Sequence, residues 1–268
     1  MARQQTTRSI IIDHLIRTLE PLASVHALWE AGAASFDRID QWSDLDLYVV
    51  VQDEVVEDTF SSIEHTLSVL SEIDARLRLP EPTWHGHSQA FYRLKDASPF
   101  LFLDIVVMKR SSRDKFLQYR IHGKPVVHFD KIGIVRDESV DPESFHSELL
   151  ARLAILKTKF ELFQVLVLKE LNRGNYIEAL SYYILCTYRP LVEVLRMKYC
   201  PYHHDFFTSY IYYDLPENVV KRLHCLYFVP DPEQLETRRV QAEAWFWETV
   251  RSIDRDDLRR RISASAPD

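Results

Sequence analysis

Two aspartates stand at the start of an apolar run in the segment SDLDLYVVV, residues 43–51. The run from Leu45 onward predicts a core strand, although aspartate is a poor strand former. Alternation along a strand places Asp44 and Asp46 on the same face, about 7 Å apart. A buried carboxylate is costly unless it is paired, and two such groups repel each other. The pattern therefore indicates a cation site, and a solvated strand start is the alternative interpretation.

A third carboxylate supports the cation site. Asp104 is the only charged residue in the segment PFLFLDIVVM, residues 99–108, which predicts a strand with this aspartate in its middle. An isolated carboxylate there would be a severe core defect unless it faces the same ion as Asp44 and Asp46. Three convergent carboxylates can hold two Mg²⁺ ions for in-line displacement at phosphorus. An ion pair between Asp104 and an arginine is the alternative.

A glycine precedes the aspartate pair. The chain contains only five glycines, and Gly32 stands where the first predicted strand ends. The segment from Gly32 to Ser35 predicts a turn into a short helix. A glycine at this point lets backbone N–H groups come close to a phosphate, whose negative charge a helix N-terminus favours.

Composition limits the classes of protein to which the chain can belong. It has 268 residues, of which 46% are hydrophobic, so one large or two modest domains with a real core are expected. The net charge of −7 argues against a general nucleic-acid binder, and an RNA substrate is least favoured. Three cysteines without a pairing motif indicate reduced thiols. Because we find neither a signal peptide nor a membrane span, we expect a soluble cytoplasmic protein.

The first half of the chain predicts alternating helices and strands. We expect a helix that Thr7 caps and that runs to about residue 21. Two further helices and five strands follow from hydrophobic spacing and turn residues. The predicted helices cover 54–79 and 114–120, and the predicted strands cover 25–32, 45–51, 88–94, 99–108 and 124–129.

The second half of the chain predicts helices almost throughout, from Pro142 to Ile262. The first helix ends at residues 172–174, and the next begins near Asn175 and contains Pro190, which should kink or split it. We therefore predict an α+β protein in which an N-terminal sheet domain, residues 1–138, is followed by an all-α helical bundle, residues 139–268. The cleft between two domains is the default ligand site.

The spacing of these residues is similar to the signature of the nucleotidyltransferase superfamily. In that signature a glycine pair is followed, after about ten residues, by two acids that alternate with apolar residues, and later by a third acid. Here Ala31-Gly32-Ala33, Asp44-Leu45-Asp46-Leu47 and the distant Asp104 stand at these places. The helix and strand pattern also resembles the small-molecule branch, which includes aminoglycoside and lincosamide nucleotidyltransferases.

The resemblance implies a fold and a reaction. The fold is a mixed sheet flanked by helices, in the polymerase-beta style, with a helical domain that completes the acceptor cleft. The reaction is Mg²⁺-dependent transfer of a nucleoside monophosphate from an NTP such as ATP to a hydroxyl of a small molecule, for instance an antibiotic, with release of pyrophosphate. Asp44 and Asp46 would bind the metal as part of a two-ion site, and Asp104 would bind it, accept the acceptor's proton, or do both.

One residue departs from the family pattern. Ala33 stands where the family has a serine whose hydroxyl touches the triphosphate. Its backbone N–H is retained, but one hydrogen bond, worth ~1 kcal/mol, is lost. Ser35 is a candidate to replace that hydroxyl, two positions further on. The resemblance thus implies a nucleotide-binding set of Gly32, Ala33 and Ser35, to which a basic residue of the helical domain, Lys157 or Lys159, is added.

Several other residues have both a functional and a purely structural interpretation. For the two lysines the alternative is a solvated helix face, and Arg189 is a similar candidate. Trp29 and Trp42 bracket the aspartate motif and could stack on a nucleobase, but core packing is favoured for both. For the remaining polar clusters we favour structural roles, as a loop for His85 and His87 and as a helix start for residues 202–205.

Two other functions are consistent with the same residues. Ala33 favours a nucleotide-binding regulatory protein that no longer transfers. A nucleotidyltransferase that modifies a protein partner, as an antitoxin does, is the third hypothesis. Against it, the 130 residues from 139 to 268 suggest a dedicated small-molecule acceptor site. Oligomeric state stays open.

Overall fold

The computed structural model describes residues 5–264, and it divides the chain after Ser139 into two compact units. The first unit is built on a sheet and the second is helical. No helix among residues 5–264 is both long and apolar enough to cross a membrane.

Within residues 5–139 the first unit contains six strands and four α-helices. The strands are β1 (Val25–Glu30), β2 (Leu45–Val51), β3 (Ile73–Arg78), β4 (Ser88–Leu94), β5 (Leu103–Lys109) and β6 (Val126–Asp130). The helices are α1 (Arg8–Leu19), α2 (Gly32–Ser35), α3 (Val56–Leu70) and α4 (Tyr119–His122).

The strands form one mixed sheet in the order β3-β4-β5-β2-β1-β6. Strands β2 and β5 are parallel, and all other neighbouring pairs are antiparallel. The sheet, together with the helical second unit, confirms the predicted α+β class.

The two faces of the sheet pack against different groups of buried residues. Alternate residues of β2, beginning with Leu45, are buried in the same core as the apolar residues of α1 and α3. Because side chains alternate along a strand, Asp46 points to the other face. On that face Val50 and Trp29 belong to a second, smaller core. The aspartates are tolerated at the start of a core strand because they lie on the face opposite the two long helices.

One predicted helix is only partly correct. The prediction over 54–79 corresponds to α3, which ends at Leu70, and the rest of the range contains β3. Ile73 and Leu77 are four residues apart and so imitate helical spacing, but β3 is an edge strand that is largely exposed. β3 has no fully buried residue, and its conformation is determined by the antiparallel pairing with β4.

Two smaller predictions also differ from the structure. The strand predicted over 99–108 begins only at Leu103, so Asp104 is its second residue and does not lie in its middle. The helix predicted over 114–120 lies further along the chain as α4, since Phe116 has a positive φ of 56° that an α-helix excludes.

The second unit is helical, as predicted. The first helix ends at Gly174, which adopts a left-handed conformation with φ 75°. The predicted split at Pro190 is present, because a π-helical turn over Tyr183–Tyr188 separates two helices and the proline lies in the first turn of the second one. The helices are α5 (Pro142–Arg173), α6 (Tyr176–Tyr182), α7 (Arg189–Tyr199), α8 (Ile211–Asp214), α9 (Glu217–Tyr227), α10 (Pro232–Ser252) and α11 (Arg255–Ser263).

A buried ion pair organises the loop after α7. The side chain of Arg196 is fully buried and donates to Oδ2 of Asp214 at 2.8 Å and to the carbonyl oxygen of Phe207 at 2.7 Å. Nδ1 of His203 lies 2.9 Å from the same Asp214 oxygen. The segment 202–205 therefore has a structural role, although its first residues belong to a 3₁₀ turn and not to the start of an α-helix.

Candidate active site

The sheet brings the predicted carboxylates together. Asp46 on β2 and Asp104 on β5 are direct partners across the parallel strand pair, so their side chains share a face at the spacing of neighbouring strands, about 4.8 Å. Asp44 precedes Asp46 by two residues, and its charge acts on both of the other carboxylates. This arrangement places three acidic groups at one end of the central strands.

Burial and mutual repulsion change the protonation of these acids. Burial, followed by the charges of Asp44 and Asp104, raises the pKa of Asp46 to about 7, against a smaller opposite effect of Arg8. Burial also raises the pKa of Asp104, and Asp44 adds to that increase, while a hydrogen bond from Gln89 works against it. The apo site therefore holds a proton on Asp46 more readily than an ordinary aspartate does, as expected where an excess of negative charge is not compensated.

Gly32 is packed directly against Asp46. It adopts a positive φ of 55°, and a Cβ placed on it would lie 1.7 Å from Oδ2 of Asp46. The backbone N–H of Ala31 donates to the carbonyl oxygen of Asp46 at 3.0 Å. Only glycine satisfies both the conformation and the close approach, so the turn and the carboxylate form one unit.

A buried ion pair between Arg8 and Glu30 supports the backbone at Asp44, and no sequence pattern predicted it. Nε of Arg8 donates to Oε2 of Glu30 at 2.9 Å, and Nη1 of Arg8 donates to the carbonyl oxygen of Asp44. Nε2 of His128 lies 3.0 Å from the other carboxylate oxygen of Glu30. Burial acts to raise the pKa of Glu30, but His128 and Arg8 outweigh it and lower that pKa. The only sequence signal was a glutamate that ends an apolar strand.

Gln89 is a further residue of the site that no sequence pattern predicted. Its Nε2 donates to both carboxylate oxygens of Asp104, at 2.7 and 2.9 Å. Gln89 lies on β4, next to β5, and no motif pointed to it. On this side the carboxylate of Asp104 is therefore paired with the amide of Gln89. It is not paired there with an arginine, which was the alternative interpretation of the sequence.

The hydroxyl proposed to replace the missing serine is already engaged. Ser35 is buried, and its Oγ donates to the carbonyl oxygen of Glu30 at 3.3 Å. Ala33 is half-buried at the second residue of α2. A direct role of Ser35 in phosphate binding stays a prediction, and its observed contact stabilises the turn.

The two tryptophans differ in their surroundings. Trp29 is buried in the smaller core and makes an edge contact with Tyr48 at a centroid distance of 5.8 Å. Trp42, by contrast, is 57% exposed and contacts Phe100 at 4.6 Å. Core packing is therefore confirmed for the first tryptophan and is wrong for the second, because the loop after α2 carries its side chain into solvent.

The remaining candidates belong to the second unit. Lys157 and Lys159 are exposed on α5, in the second unit, and their role toward a triphosphate stays a prediction. Arg189 is exposed at the start of α7 and lies over the ring of Phe207, 4.5 Å from its centroid.

The donor chemistry of the site fits a magnesium ion in part. Carboxylate oxygens are the ligands that Mg²⁺ prefers, and a cation would offset the repulsion that raises the pKa of Asp46. However, between residues 5 and 264 no group of three or more His, Cys, Asp or Glu side chains is placed so that it could hold a metal ion. Mg²⁺ commonly binds one or two carboxylates and takes its other ligands from water and substrate phosphates.

Comparisons with known proteins give distant similarities only. No protein-family model matches the chain, and no curated protein matches it. An aminoglycoside 6-adenyltransferase from Bacillus subtilis is 13% identical with a TM-score of 0.35, over 98% of this chain and 94% of that one. A spectinomycin adenyltransferase from Enterococcus faecialis, solved with ATP and spectinomycin, is 9% identical with a TM-score of 0.36, over 96% of this chain and 100% of that one. At scores this low the similarities carry no argument about function.

Proposed function

We propose that the protein transfers a nucleoside monophosphate from an NTP, with ATP as the first candidate, to a hydroxyl group of a small molecule. The observation that carries the proposal is the packing of Asp46 against Gly32 on one side and beside Asp104 on the other. A glycine turn, a carboxylate packed against it and a second acid on the neighbouring strand are the groups that this reaction needs.

In this proposal Asp44 and Asp46 would hold the magnesium ion of the nucleotide, and the second ion that the family resemblance implies is kept as part of the proposal. Bound magnesium supplies charge neutralisation at the phosphate oxygens. Arg8 fixes the backbone of Asp44 through its carbonyl oxygen, and Glu30 fixes Arg8. The Gly32 turn brings backbone N–H groups toward the phosphates, and the basic residues Lys157 and Lys159 are kept as candidates for the same anion.

Asp104 is the proposed proton acceptor. The oxygen of the acceptor hydroxyl attacks the α-phosphorus, a new P–O bond forms, the bond to the β-phosphate oxygen breaks, and pyrophosphate leaves. The hydroxyl proton passes to a carboxylate oxygen of Asp104. The raised pKa of Asp104 makes it a stronger base than an ordinary aspartate. As acceptor we propose an aminoglycoside or lincosamide-type antibiotic.

A thermal unfolding experiment tests nucleotide binding. ATP or GTP with Mg²⁺ should raise the melting temperature by mass action, by an amount equivalent to about 2.7 kcal/mol at a hundredfold excess over Kd. Asp46→Asn should abolish the shift. Asp58→Asn on α3 removes the same charge on the opposite side of the sheet and should leave it unchanged. No shift with any NTP at millimolar concentration would contradict the proposal.

Transfer itself is tested with labelled NTPs. The protein is incubated with each NTP, Mg²⁺ and a panel of aminoglycosides, lincosamides and purified cell proteins, and pyrophosphate is measured. Release that depends on one class of acceptor identifies that class. Transfer to a purified cell protein would favour the hypothesis that the enzyme modifies a protein partner, and would contradict a small-molecule acceptor.

A second candidate function is a nucleotide-binding protein that does not transfer. It is favoured by the hydrogen bond of Ser35 to the carbonyl oxygen of Glu30, since neither residue 33 nor residue 35 then offers a free hydroxyl to a triphosphate. A thermal shift with nucleotide, together with no pyrophosphate release for any acceptor, would support this candidate over the enzyme.

The alanine in the turn leads to a further prediction. Ala33→Ser should add one hydrogen bond to a phosphate oxygen and lower the Kd for the NTP about fivefold, since ~1 kcal/mol corresponds to that factor. Calorimetric titration with ATP and Mg²⁺ measures it. Ala23→Ser is the control and should leave the affinity unchanged, because it adds the same hydroxyl to an exposed turn at the other end of β1. An unchanged or weaker affinity of Ala33→Ser would show that the turn does not hold phosphate as proposed.

A further inference from the structure

A chain of hydrogen-bonded side chains continues behind Asp104. Gln89 donates from Nε2 to the carboxylate, and its Oε1 lies 3.0 Å from Nε2 of His85. An ionised carboxylate can only accept, so the NH₂ group of the amide must face Asp104. The carbonyl oxygen of the amide must therefore face His85.

The orientation of Gln89 determines the tautomer of His85. Because Oε1 of the amide can only accept, Nε2 of the imidazole must carry the hydrogen. On the other side of the ring, the backbone N–H of His87 lies 3.1 Å from Nδ1 and donates to it, which requires a free lone pair there. Two contacts on opposite sides of the ring thus specify the same neutral tautomer.

The turn that carries His85 holds the ring in place. The backbone N–H of Gly86 donates to the carbonyl oxygen of Thr83 at 3.1 Å, and Gly86 has a positive φ of 81°. Trp84 packs its ring edge-on against the imidazole at a centroid distance of 5.0 Å, and Phe116 does so at 5.9 Å. Both the position and the tautomer of the ring are therefore set by its surroundings.

We propose that His85 and Gln89 are positioning residues for Asp104. They hold the carboxylate in one rotation, so that the lone pairs which Gln89 leaves free are available to the acceptor hydroxyl. This inference rests on the proposed function, in which Asp104 takes the proton of that hydroxyl. Neither residue needs to touch the substrate, since each acts through the next member of the chain.

The first test removes the amide. Gln89→Met keeps the length of the side chain and abolishes its three hydrogen bonds, two to Asp104 and one to His85, so kcat for transfer should fall ~10–100-fold, the scale for loss of an outer-shell partner. The Kd for ATP with Mg²⁺ should be unchanged, because Asp44 and Asp46 keep their contacts. Gln241→Met, on the exposed surface of α10, is the matched control and should alter neither quantity.

The second test uses two conservative replacements of the histidine. The amide nitrogen of glutamine can occupy the place of Nε2, whereas the amide group of asparagine reaches only the place of Nδ1. His85→Gln should therefore retain most of the kcat, while His85→Asn should lose as much as Gln89→Met. Equal loss in both variants, or equal retention, would overturn the chain as a positioning device, because a role in packing alone would not separate them.

A spectroscopic measurement is independent of activity. The ¹⁵N chemical shifts of the His85 ring should show a single neutral tautomer with the hydrogen on Nε2, and Gln89→Met should produce a mixture. A mixed or Nδ1–H tautomer in the unmodified protein overturns the inference. If the protein transfers no nucleotide at all, the proposed function fails, and this measurement still decides whether the chain exists. If the protein transfers but Gln89→Met is fully active, the inference fails and the proposed function stands.

Discussion

Asp46→Asn is expected to make the apo protein more stable while it lowers transfer at least ~100-fold, because it removes a proposed ligand of the metal and even outer-shell partners of a metal are worth ~10–100-fold. The reason is that burial and the neighbouring acids raise the pKa of Asp46 to about 7 in the folded state, from the ordinary value of 3.8. Each pKa unit corresponds to about 1.4 kcal/mol. Allowing for relaxation of the site, we expect a gain of about 1–3 kcal/mol in the free energy of unfolding at pH 8.

The sign of this effect depends on pH. Because the folded state holds the proton on Asp46 more tightly than the unfolded state does, protonation stabilises the fold below about pH 4. This contribution is lost as the pH rises through the folded pKa of about 7. The stability difference between Asp46→Asn and the unmodified protein should therefore be small at pH 4, increase between pH 4 and 7, and stay constant above that range.

Urea unfolding in the presence of EDTA measures the difference at each pH. Asp58→Asn, which removes an exposed charge from α3, should show no such trend. A loss of stability in Asp46→Asn at pH 8 would mean that the carboxylate is a structural ion-pair partner, and the active-site assignment would be wrong. Full transfer activity in this variant would be equally decisive against it.

Gly32→Ala is expected to abolish nucleotide binding. The added Cβ would lie 1.7 Å from Oδ2 and 2.6 Å from Cγ of Asp46, so the carboxylate must leave its position. The positive φ of 55° adds a backbone cost of about 1–2 kcal/mol for any residue with a side chain. We expect a drop in transfer of at least ~100-fold, since a displacement of about 1 Å at a reacting group has this effect.

A second glycine separates backbone strain from the clash. Gly133 has a similar positive φ of 65°, but a Cβ placed on it meets nothing within 4 Å. Gly133→Ala should therefore lose stability through its backbone alone and keep full nucleotide affinity. In an Asp46→Gly background the three closest obstructing atoms, Oδ2, Cγ and Cβ of residue 46, are absent, so Gly32→Ala should cost no more stability than Gly133→Ala does. A larger cost in that background would show that Gly32 matters for a contact other than Asp46.

Much of the fold could be predicted from local sequence because its signals are short-range. The apolar run of β2, the capping Thr7 of α1 and the glycine that ends α5 each identify an element within a few residues. The edge strand β3 could not be identified in this way. Its residues are mostly exposed, so only the hydrogen bonds to β4 distinguish it from a continuation of α3.

The acidic residues of the site were visible in the sequence for a different reason. Asp46 and Asp104 interrupt apolar strands and Asp44 directly precedes one, where a carboxylate needs a compensating partner, so the local sequence pattern makes them conspicuous. Gln89 lies in a strand that already mixes polar and apolar residues, so it does not stand out there. Arg8 looks like an ordinary first residue of a helix. Their importance follows only from where the chain places them.

The sequence by itself therefore determined that this chain has an acidic site at the start of core strands, an N-terminal sheet and a helical second half. Tertiary structure alone decided which groups meet that site. The parallel pairing of β2 with β5 sets Asp46 opposite Asp104 across 58 residues of chain, and the β4–β5 pairing adds Gln89. Strand order and register leave little trace in the sequence, because the hydrogen bonds between strands are formed by backbone groups that nearly every residue carries. The cost of burying charge, by contrast, depends on residue type, and so the acidic residues could be recognised from the sequence.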